Sequence, residues 1–448
     1  MSARLQIMVP AEKVPVVEEA DIVVIGGSCT GVFAAVRAAR LGARVVIVEK
    51  LNRFGGVATS GLVNMWHSIY DTDYNRQIIG GLTHEIMERL DKRNMISRFK
   101  NSKDYAIRFN SEELTIELDE LVLEEKIKPY LHTFFAAPVI ENGQVSSVII
   151  QNKSGRSAIK GGMFIDATGD ADLCFLAGLP TYIPPHIQPP TTCAKFTHWN
   201  IKLNANKLIM KHAAEFNLPE GYMWGAPIPP DNDVFMLAGT RVSGKNPADG
   251  KQLTFCEMEG RRQVRAVMDI WRKYAPGKSL ALHALPSQIG IRESRHIKGV
   301  YRIAGTDLLD GKKFDDAIAN GTYPVDIHHQ DKPGITFKEL NGTQCYCRPG
   351  KKAVVSRWRK KTANCPKYYQ IPLRSLIPQN SKNVIAAGRM LDADREAFGA
   401  VRVMVNLNQT GEAAGVAAWH ALQSGINIAR VNARDVRKSL LSGGSCIF

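Results

Sequence analysis

The stretch that most restricts the fold lies near the N-terminus, where residues 19–50 read EADIVVIGGSCTGVFAAVRAARLGARVVIVEK. Residues 22–25 are an uninterrupted β-branched run, the pattern of a parallel strand buried on both faces. Gly26, Gly27 and Gly31 make a tight turn, and residues 32–41 are small and apolar with helical period. Gly42 stands where a helix-ending glycine belongs, and residues 45–48 form a second buried strand stopping at Glu49. Strand, helix and strand in this order make a βαβ unit with a phosphate-binding turn.

The usual fingerprint of that turn is G-x-G-x-x-G, and here Ser28 replaces the middle glycine. Serine is small and its hydroxyl can donate to phosphate, so Gly26, Ser28, Cys29, Thr30 and Gly31 still read as a nucleotide turn. The helix N-terminus behind it offers unpaired N–H groups and partial positive charge to a pyrophosphate. Glu49 lies 18 residues after Gly31, close to the ~20-residue spacing of a carboxylate that holds a ribose hydroxyl. Lys50 follows it. Gly55 and Gly56 form another close-approach turn, and Val57 leads into Ala58, Thr59, Ser60 and Gly61. Small residues suit backbone passing along a flat ring system.

With 448 residues, 44% of them hydrophobic, the chain can build two or three domains around a large core. No apolar run is long enough to span a bilayer, and residues 1–17 lack a signal pattern. The expectation is a soluble cytoplasmic protein. Its eight cysteines are scattered and form no disulfide framework. Cys345, Cys347 and Cys365 could form a metal or redox cluster, but no fourth ligand has the spacing, so free thiols and no metal are expected. The net charge of +15 raises the question of nucleic acid or an anionic membrane. The densest basic run is residues 351–361, KKAVVSRWRKK. The remaining charge is spread along the chain, which favours a solvated hairpin plus a site that takes anions.

Further along, helices are expected over 83–92 and 111–127, and strands over 130–135, 137–141 and 144–151, with a hairpin turn at Asn142-Gly143. His67, just past the small-residue loop, is a base or tether candidate, though a packed histidine is the preferred reading. Residues 163–167 form a buried strand closing on Thr168, Gly169 and Asp170. Residues 383–389, NVIAAGR, form a strand ending in Gly388 and Arg389. After Arg402, the small residues of NQTGEAAGVAA at 408–418 read as a helix opening at Gly411. Between these lie GIRESRHIKG at 290–299, FDDAI at 314–318, YPVDIH at 323–328 and YQIPLRSLIP at 369–378.

Taken together, these segments, from about residue 21 to 418, resemble the FAD-dependent oxidoreductase family related to the fumarate reductase and succinate dehydrogenase flavoproteins. The resemblance implies an α/β fold: a Rossmann-like FAD-binding domain of the glutathione-reductase type, with a parallel sheet and a β-meander, and an inserted α+β substrate domain. It places the discontinuous FAD domain at 1–170 and 370–448, with 62–110 partly capping, and the substrate domain at 171–369. It adds Thr168, Gly169, Gly388, Arg389, Arg402 and Gly411 to the cofactor-binding residues. The helix opening at Gly411 would aim its positive end at the flavin ring. The FAD is expected to be non-covalent.

FAD takes a hydride at its ring, so the substrate must lie flat between the domains while the protein handles a proton. Arg292 and Arg295 are the densest candidates, with Glu293 between them. A spacing of three puts the arginines on one side of a helix but on opposite faces of a strand. Together they would clamp a carboxylate; the alternative is a buried Arg–Glu bridge between domains. His328, near Asp326 and His329, is a general-base candidate, or else a hydrogen-bonded loop histidine. Tyr369 and Arg374 flank the return to the FAD domain and are read as pocket-lining. The expected activity is hydride transfer between FAD and a small organic molecule, an anion among the options. In a reductase variant, Arg292 would donate the proton. Oxygen, a quinone or a carrier could accept the electrons; no second nucleotide fingerprint supports NAD(P)H, and a homo-oligomer is allowed. The alternative is a flavoprotein that works on a nucleic-acid or protein partner through its basic surface.

Overall fold

The computed structural model describes residues 7–98, 106–230, 233–276, 280–360 and 364–448. Strand β1 (Val16–Ile25), helix α1 (Cys29–Arg40) and strand β2 (Val45–Val48) form the expected βαβ unit. β1 pairs in parallel with β2 on one side and with the strand Gly155–Asp166 on the other, so Val24 faces both Ile47 and Ile165. Beyond β2 the sheet adds Lys128–Tyr130. The alternation of β1 feeds two cores: Ile22 and Val24 pack on one face, Val23 and Ile25 on the other. This double burial is why the run carries no polar residue.

Gly155–Asp166 is long enough to serve two partners. Its first half pairs with the antiparallel strands Gln144–Asn152 and, beyond it, Phe134–Glu141, while its last residues pair in parallel with Val384–Ala386. Asn142 and Gly143, both at positive φ, make the hairpin turn between the antiparallel strands. Predicted residues 130–135 split into two strands because His132 takes a left-handed conformation. The helix starting near Ser111 runs Ser111–Glu124, capped by Asn110.

The C-terminal helix spans Met404–Gln423, so Gly411 lies inside it and not at its opening. A Cβ at Gly411 would sit 2.0 Å from the Thr30 carbonyl oxygen, and one at Gly415 would sit 2.2 Å from that of Ala34. These glycines let the helix cross α1 at backbone contact. Arg37 of α1 and Glu412 cement the crossing, Nε to Oε2 at 2.7 Å, both buried.

The remaining chain includes two four-stranded antiparallel sheets. One has the order Trp224–Pro227, Val234–Ala238, Cys193–Thr197, Ala281–Ala284; the apolar stripe of helix Gly250–Tyr274 shares its core. The other is a meander, Val325–His328, Ile335–Lys338, Thr343–Cys347 and Val354–Arg357. The last strand is an exposed edge carrying part of the basic run; Lys361 lies outside the described residues. Strand Ala317–Gly321 pairs with Tyr369–Pro372, and both share the main core with α1 and the C-terminal helix. Among the described residues no helix is long and apolar enough to cross a membrane.

Candidate active site

The carboxyl ends of the parallel strands meet at one edge of the sheet, the place where open α/β sheets bind ligands. Backbone bonds fix the alignment: Gly26 N to Val48 O at 2.8 Å, Ala167 N to Ile25 O at 2.8 Å, and Ala387 N to Asp166 O at 2.8 Å. A cavity of 1390 Å³ opens there and runs to the inner face of the meander. A single small ligand fills about 300–1,000 Å³, so this space accommodates a large cofactor and a substrate together.

At the sheet end the wall is made by Gly26, Ser28, Cys29, Thr30, Glu49, Lys50, Gly55, Gly56 and Val57. A side chain at Gly26 (φ +105°) would run into the Ala167 carbonyl at 2.3 Å. Ser28 caps α1, its Oγ accepting from Gly31 N at 3.4 Å. Gly31 itself packs on the Gly26 carbonyl, 1.9 Å from an added Cβ, and does not line the cavity. Glu49 accepts from Gly27 N at 2.6 Å and Leu51 N at 2.9 Å. A carboxylate has further lone pairs, so it keeps acceptor capacity for a ribose hydroxyl. Cys29 points its thiol at the Gly55 carbonyl, 3.6 Å away, and burial pushes it up to about 12. Thr59 donates to Phe54 O at 2.5 Å and, like Ala58, stays behind the wall.

Thr168 and Gly169 line the next section, with Gly388, Arg389 and Arg402. Asp166 shapes the Thr168 turn by accepting from Thr168 Oγ1 at 2.7 Å and from Cys174 N at 2.9 Å. Asp170 fixes Arg389 at 2.6 Å, and an added Cβ at Gly169 would meet that guanidinium at 2.2 Å. The N-terminus of the Met404–Gln423 helix opens into the cavity beside Val403 and Met404, without a side-chain cap. Its free N–H groups therefore present partial positive charge to whatever occupies the space.

At the far end, a cluster of charged and aromatic side chains faces inward. Asp326 Oδ2 accepts from Arg402 Nη2 at 2.7 Å and from the Tyr323 hydroxyl at 3.0 Å. His328 Nε2 lies 3.5 Å from Asp326 Oδ1. The His67 ring packs on Tyr323 at 4.2 Å between centroids. Strand periodicity explains the arrangement, because Asp326 and His328 are two residues apart and share a face. Gly399 lets the helix Arg395–Val401 press on the Asp326 backbone, which brings Arg402 alongside.

Burial opposes charge on Asp326, but a hydrogen bond from His328 and the charges of Arg402 and Arg292 outweigh it and hold the carboxyl well below the usual range. Burial and then Arg292 push His328 down to about 3, and burial pushes His67 down to about 4. Both imidazoles are therefore neutral at pH 7. This leaves Arg402, at 2.7 Å, as the principal partner of the Asp326 carboxylate.

The sequence-derived catalytic set divides. Arg292 and His328 line the cavity. Arg292 Nη1 donates to Pro189 O at 2.6 Å and to Thr191 Oγ1 at 2.5 Å, and makes no ion pair among the described residues. Arg295 turns away, to Asp170 O at 2.9 Å and Asp172 at 3.1 Å, and lies over Phe175. The segment is irregular chain between a bridge and a short strand, so neither helical nor strand spacing applies, and the paired-arginine clamp does not form. Glu293 bonds Gln188 N at 2.7 Å. Tyr369 is also outside the cavity. Its hydroxyl contacts the Tyr323 and Ala400 carbonyls at 3.1 Å and the Asn406 amide at 2.9 Å, a buried bolt behind the site. Tyr323 is a site residue that the sequence does not single out; the one available signal is its place in the YPVDIH run with Asp326 and His328.

Several polar atoms at this wall have no hydrogen-bond partner among the described residues: Ser60 Oγ, Arg389 Nε and Arg402 Nε. Together with the glycine cradle, the two helix N-termini and Glu49, they fit a bound dinucleotide. The fold and site are those of a flavin-binding enzyme built on a dinucleotide fold. The family model for FAD dependent oxidoreductases matches residues 21–440, and the chain belongs to that family, with FAD as its cofactor.

Comparison with curated proteins returned no match. Among solved structures, a geranylgeranyl bacteriochlorophyll reductase-like protein from Thermoplasma acidophilum is similar at 12% identity and a TM-score of 0.48, over 95% of this chain and 83% of that one. A myxobacterial chondrochloren halogenase is similar at 12% identity and 0.46, over 94% and 79%. The p-nitrophenol 4-monooxygenase of Pseudomonas putida DLL-E4 gives 10% and 0.43, over 95% and 84%.

Proposed function

We propose that the enzyme transfers a hydride between a small carboxylate-bearing molecule and non-covalently held FAD. The observation that carries this reading is Arg292, a cavity-lining guanidinium that meets only neutral oxygens. Arg292 is half-buried at the cavity wall, and the nearby Asp326 carboxylate is already bonded to Arg402, so a substrate carboxylate would give Arg292 the charge-assisted, bidentate contact it lacks. FAD, when bound, supplies the hydride acceptor or donor. Arg292 holds the substrate anion, and the Arg402–Asp326 pair fixes the wall beside it. His328, neutral at pH 7, takes the proton that leaves as the substrate is oxidised, or returns it in the reverse direction. An anion next to His328 favours its protonated form, which suits that role. His67, the sequence's tether candidate, is packed on Tyr323, consistent with a flavin held without a covalent bond.

The test is anaerobic bleaching of the purified yellow protein. A series of small carboxylates should bleach the flavin band, and their amides or esters should not. R292M should lose that preference while still retaining flavin. Equal bleaching by neutral analogues would overturn the assignment.

A further inference from the structure

We propose that Cys345 and Cys347 are a thiol–disulfide exchange site on the cavity wall, closing reversibly to an intrastrand disulfide. The two sulfurs lie 3.3 Å apart on strand Thr343–Cys347, and both residues are partly exposed. Their placement follows from the register of the meander. Asp326 pairs with Phe337 and Phe337 with Cys345; His328 pairs with Ile335 and Ile335 with Cys347. Paired residues share a face, so the dithiol stands in the same two rows as Asp326 and His328, two strands away. Strands are spaced about 4.8 Å apart, which puts the thiols about 10 Å from the Asp326–His328 pair. Cys345, Phe337 and Ile335 all line the cavity.

Four of the six other thiols differ in exposure. Cys29, Cys174, Cys193 and Cys256 are buried, and burial pushes each of them up. A thiol there is an inert core group. Residues two apart on a strand have Cα atoms about 6.7 Å apart, near the upper limit of about 6.8 Å for a disulfide. A bond closed here is held under tension and is correspondingly reducible, the property of an exchanging pair and not of a structural staple.

The reaction balances with a small disulfide, RSSR, as the oxidant. The Cys345 thiolate attacks one sulfur and releases RS⁻, giving a mixed disulfide. The Cys347 thiolate then attacks the Cys345 sulfur and releases the second RS⁻. Protein dithiol and RSSR become protein disulfide and two RSH. Burial and the neighbouring Cys345 push Cys347 up to about 11; with the sulfurs 3.3 Å apart, whichever thiol attacks first has the other in place to resolve the mixed disulfide. Drawing the sulfurs from 3.3 Å to bonding distance shifts the strand that backs Phe337 and Ile335, and so couples thiol state to the shape of the cavity.

The experiment equilibrates the flavin-loaded enzyme in mixtures of oxidised and reduced glutathione, quenches with acid, alkylates and measures peptide masses. The peptide bearing both cysteines should become unalkylated and lighter by two hydrogens, and should recover in excess reduced glutathione. C345S and C347S should each stop at a glutathione adduct on the remaining thiol. Adducts or free thiols at both positions of the wild type, with no loss of two hydrogens, would overturn the site. Bound-flavin emission should change on oxidation of the wild type and stay constant in C347S; unchanged wild-type emission would overturn the coupling to the cavity. The mass readout does not depend on the substrate proposed above.

Discussion

Arg402 donates from Nη2 to Asp326 Oδ2 across 2.7 Å, tying the chain ahead of the C-terminal helix to the first strand of the meander. Both side chains are about nine-tenths buried, at 11% and 6% exposure. Breaking a buried pair from one side leaves an uncompensated charge, at a cost of about 3–5 kcal/mol. D326A should lower stability by that amount in urea unfolding. D326N should lose less, because its amide oxygen still accepts from Tyr323 or Arg402. An unchanged midpoint in D326A would mean that water in the cavity, not Asp326, compensates Arg402.

Glu49 governs cofactor retention. It already holds Gly27 N and Leu51 N, so it is fixed in place before any ribose arrives. A hydrogen bond to a charged group contributes about 1.5–3 kcal/mol, or about a 10- to 100-fold change in affinity. E49A should therefore release FAD by about that factor, measured as flavin absorbance retained after gel filtration. E49Q keeps one acceptor oxygen and should lose less. Full occupancy in E49A would remove Glu49 from the ribose contact.

What the sequence revealed was what local chemistry determines. The βαβ unit was legible because strand, turn and carboxylate all fall within residues 19–50, and each has a physical reason for its residue type. Thr168, Gly169, Gly388 and Arg389 were legible because each follows a short apolar strand. The far end of the cavity was only partly so. Asp326 and His328 stood out as ionisable residues on one strand, but Tyr323 reads like any aromatic before a proline. Arg295 and Tyr369 were misplaced because irregular chain and a buried hydroxyl leave no periodic trace. Gly411 was misread for a related reason. Val403, which precedes the C-terminal helix, provides no capping side chain, so the true start left no signal, and a glycine for helix crossing looks the same as one for helix entry.

That crossing gives a direct test. Alanine inside a helix ordinarily gains up to about 1 kcal/mol over glycine. At Gly411 the new methyl would lie 2.0 Å from the Thr30 carbonyl oxygen, which belongs to the backbone and cannot rotate aside. Overpacking costs about 1–3 kcal/mol or more, so G411A should be net destabilising despite its better helix propensity. It should also displace the phosphate turn through Thr30 and weaken FAD retention. A stabilised G411A in thermal unfolding would show that the two helices have room to separate.

The neutral histidines set the acid limit of stability. Burial holds His328 near 3 and His67 near 4, whereas an unfolded histidine titrates near 6.5. Above about pH 6.5 neither state binds a proton at these sites, and stability does not depend on them. As pH falls below that value the unfolded chain takes up protons that the native site refuses. The slope is up to about 1.4 kcal/mol per pH unit for each histidine. The loss continues until about pH 4 for His67 and about pH 3 for His328. Asp326, held low, adds its own loss only once pH drops below the ordinary aspartate range, near 3.9. Measured against H328Q, wild-type urea midpoints should therefore hold level from pH 8 to about 6.5 and then fall toward pH 4, since Asp172, raised by burial to about 6, and His329, lowered to about 4, contribute equally to both proteins. H328Q removes one of the two titrations and should halve the slope contributed by this pair. An H328Q slope equal to that of the wild type would mean that His328 titrates in the folded protein as it does in the unfolded chain.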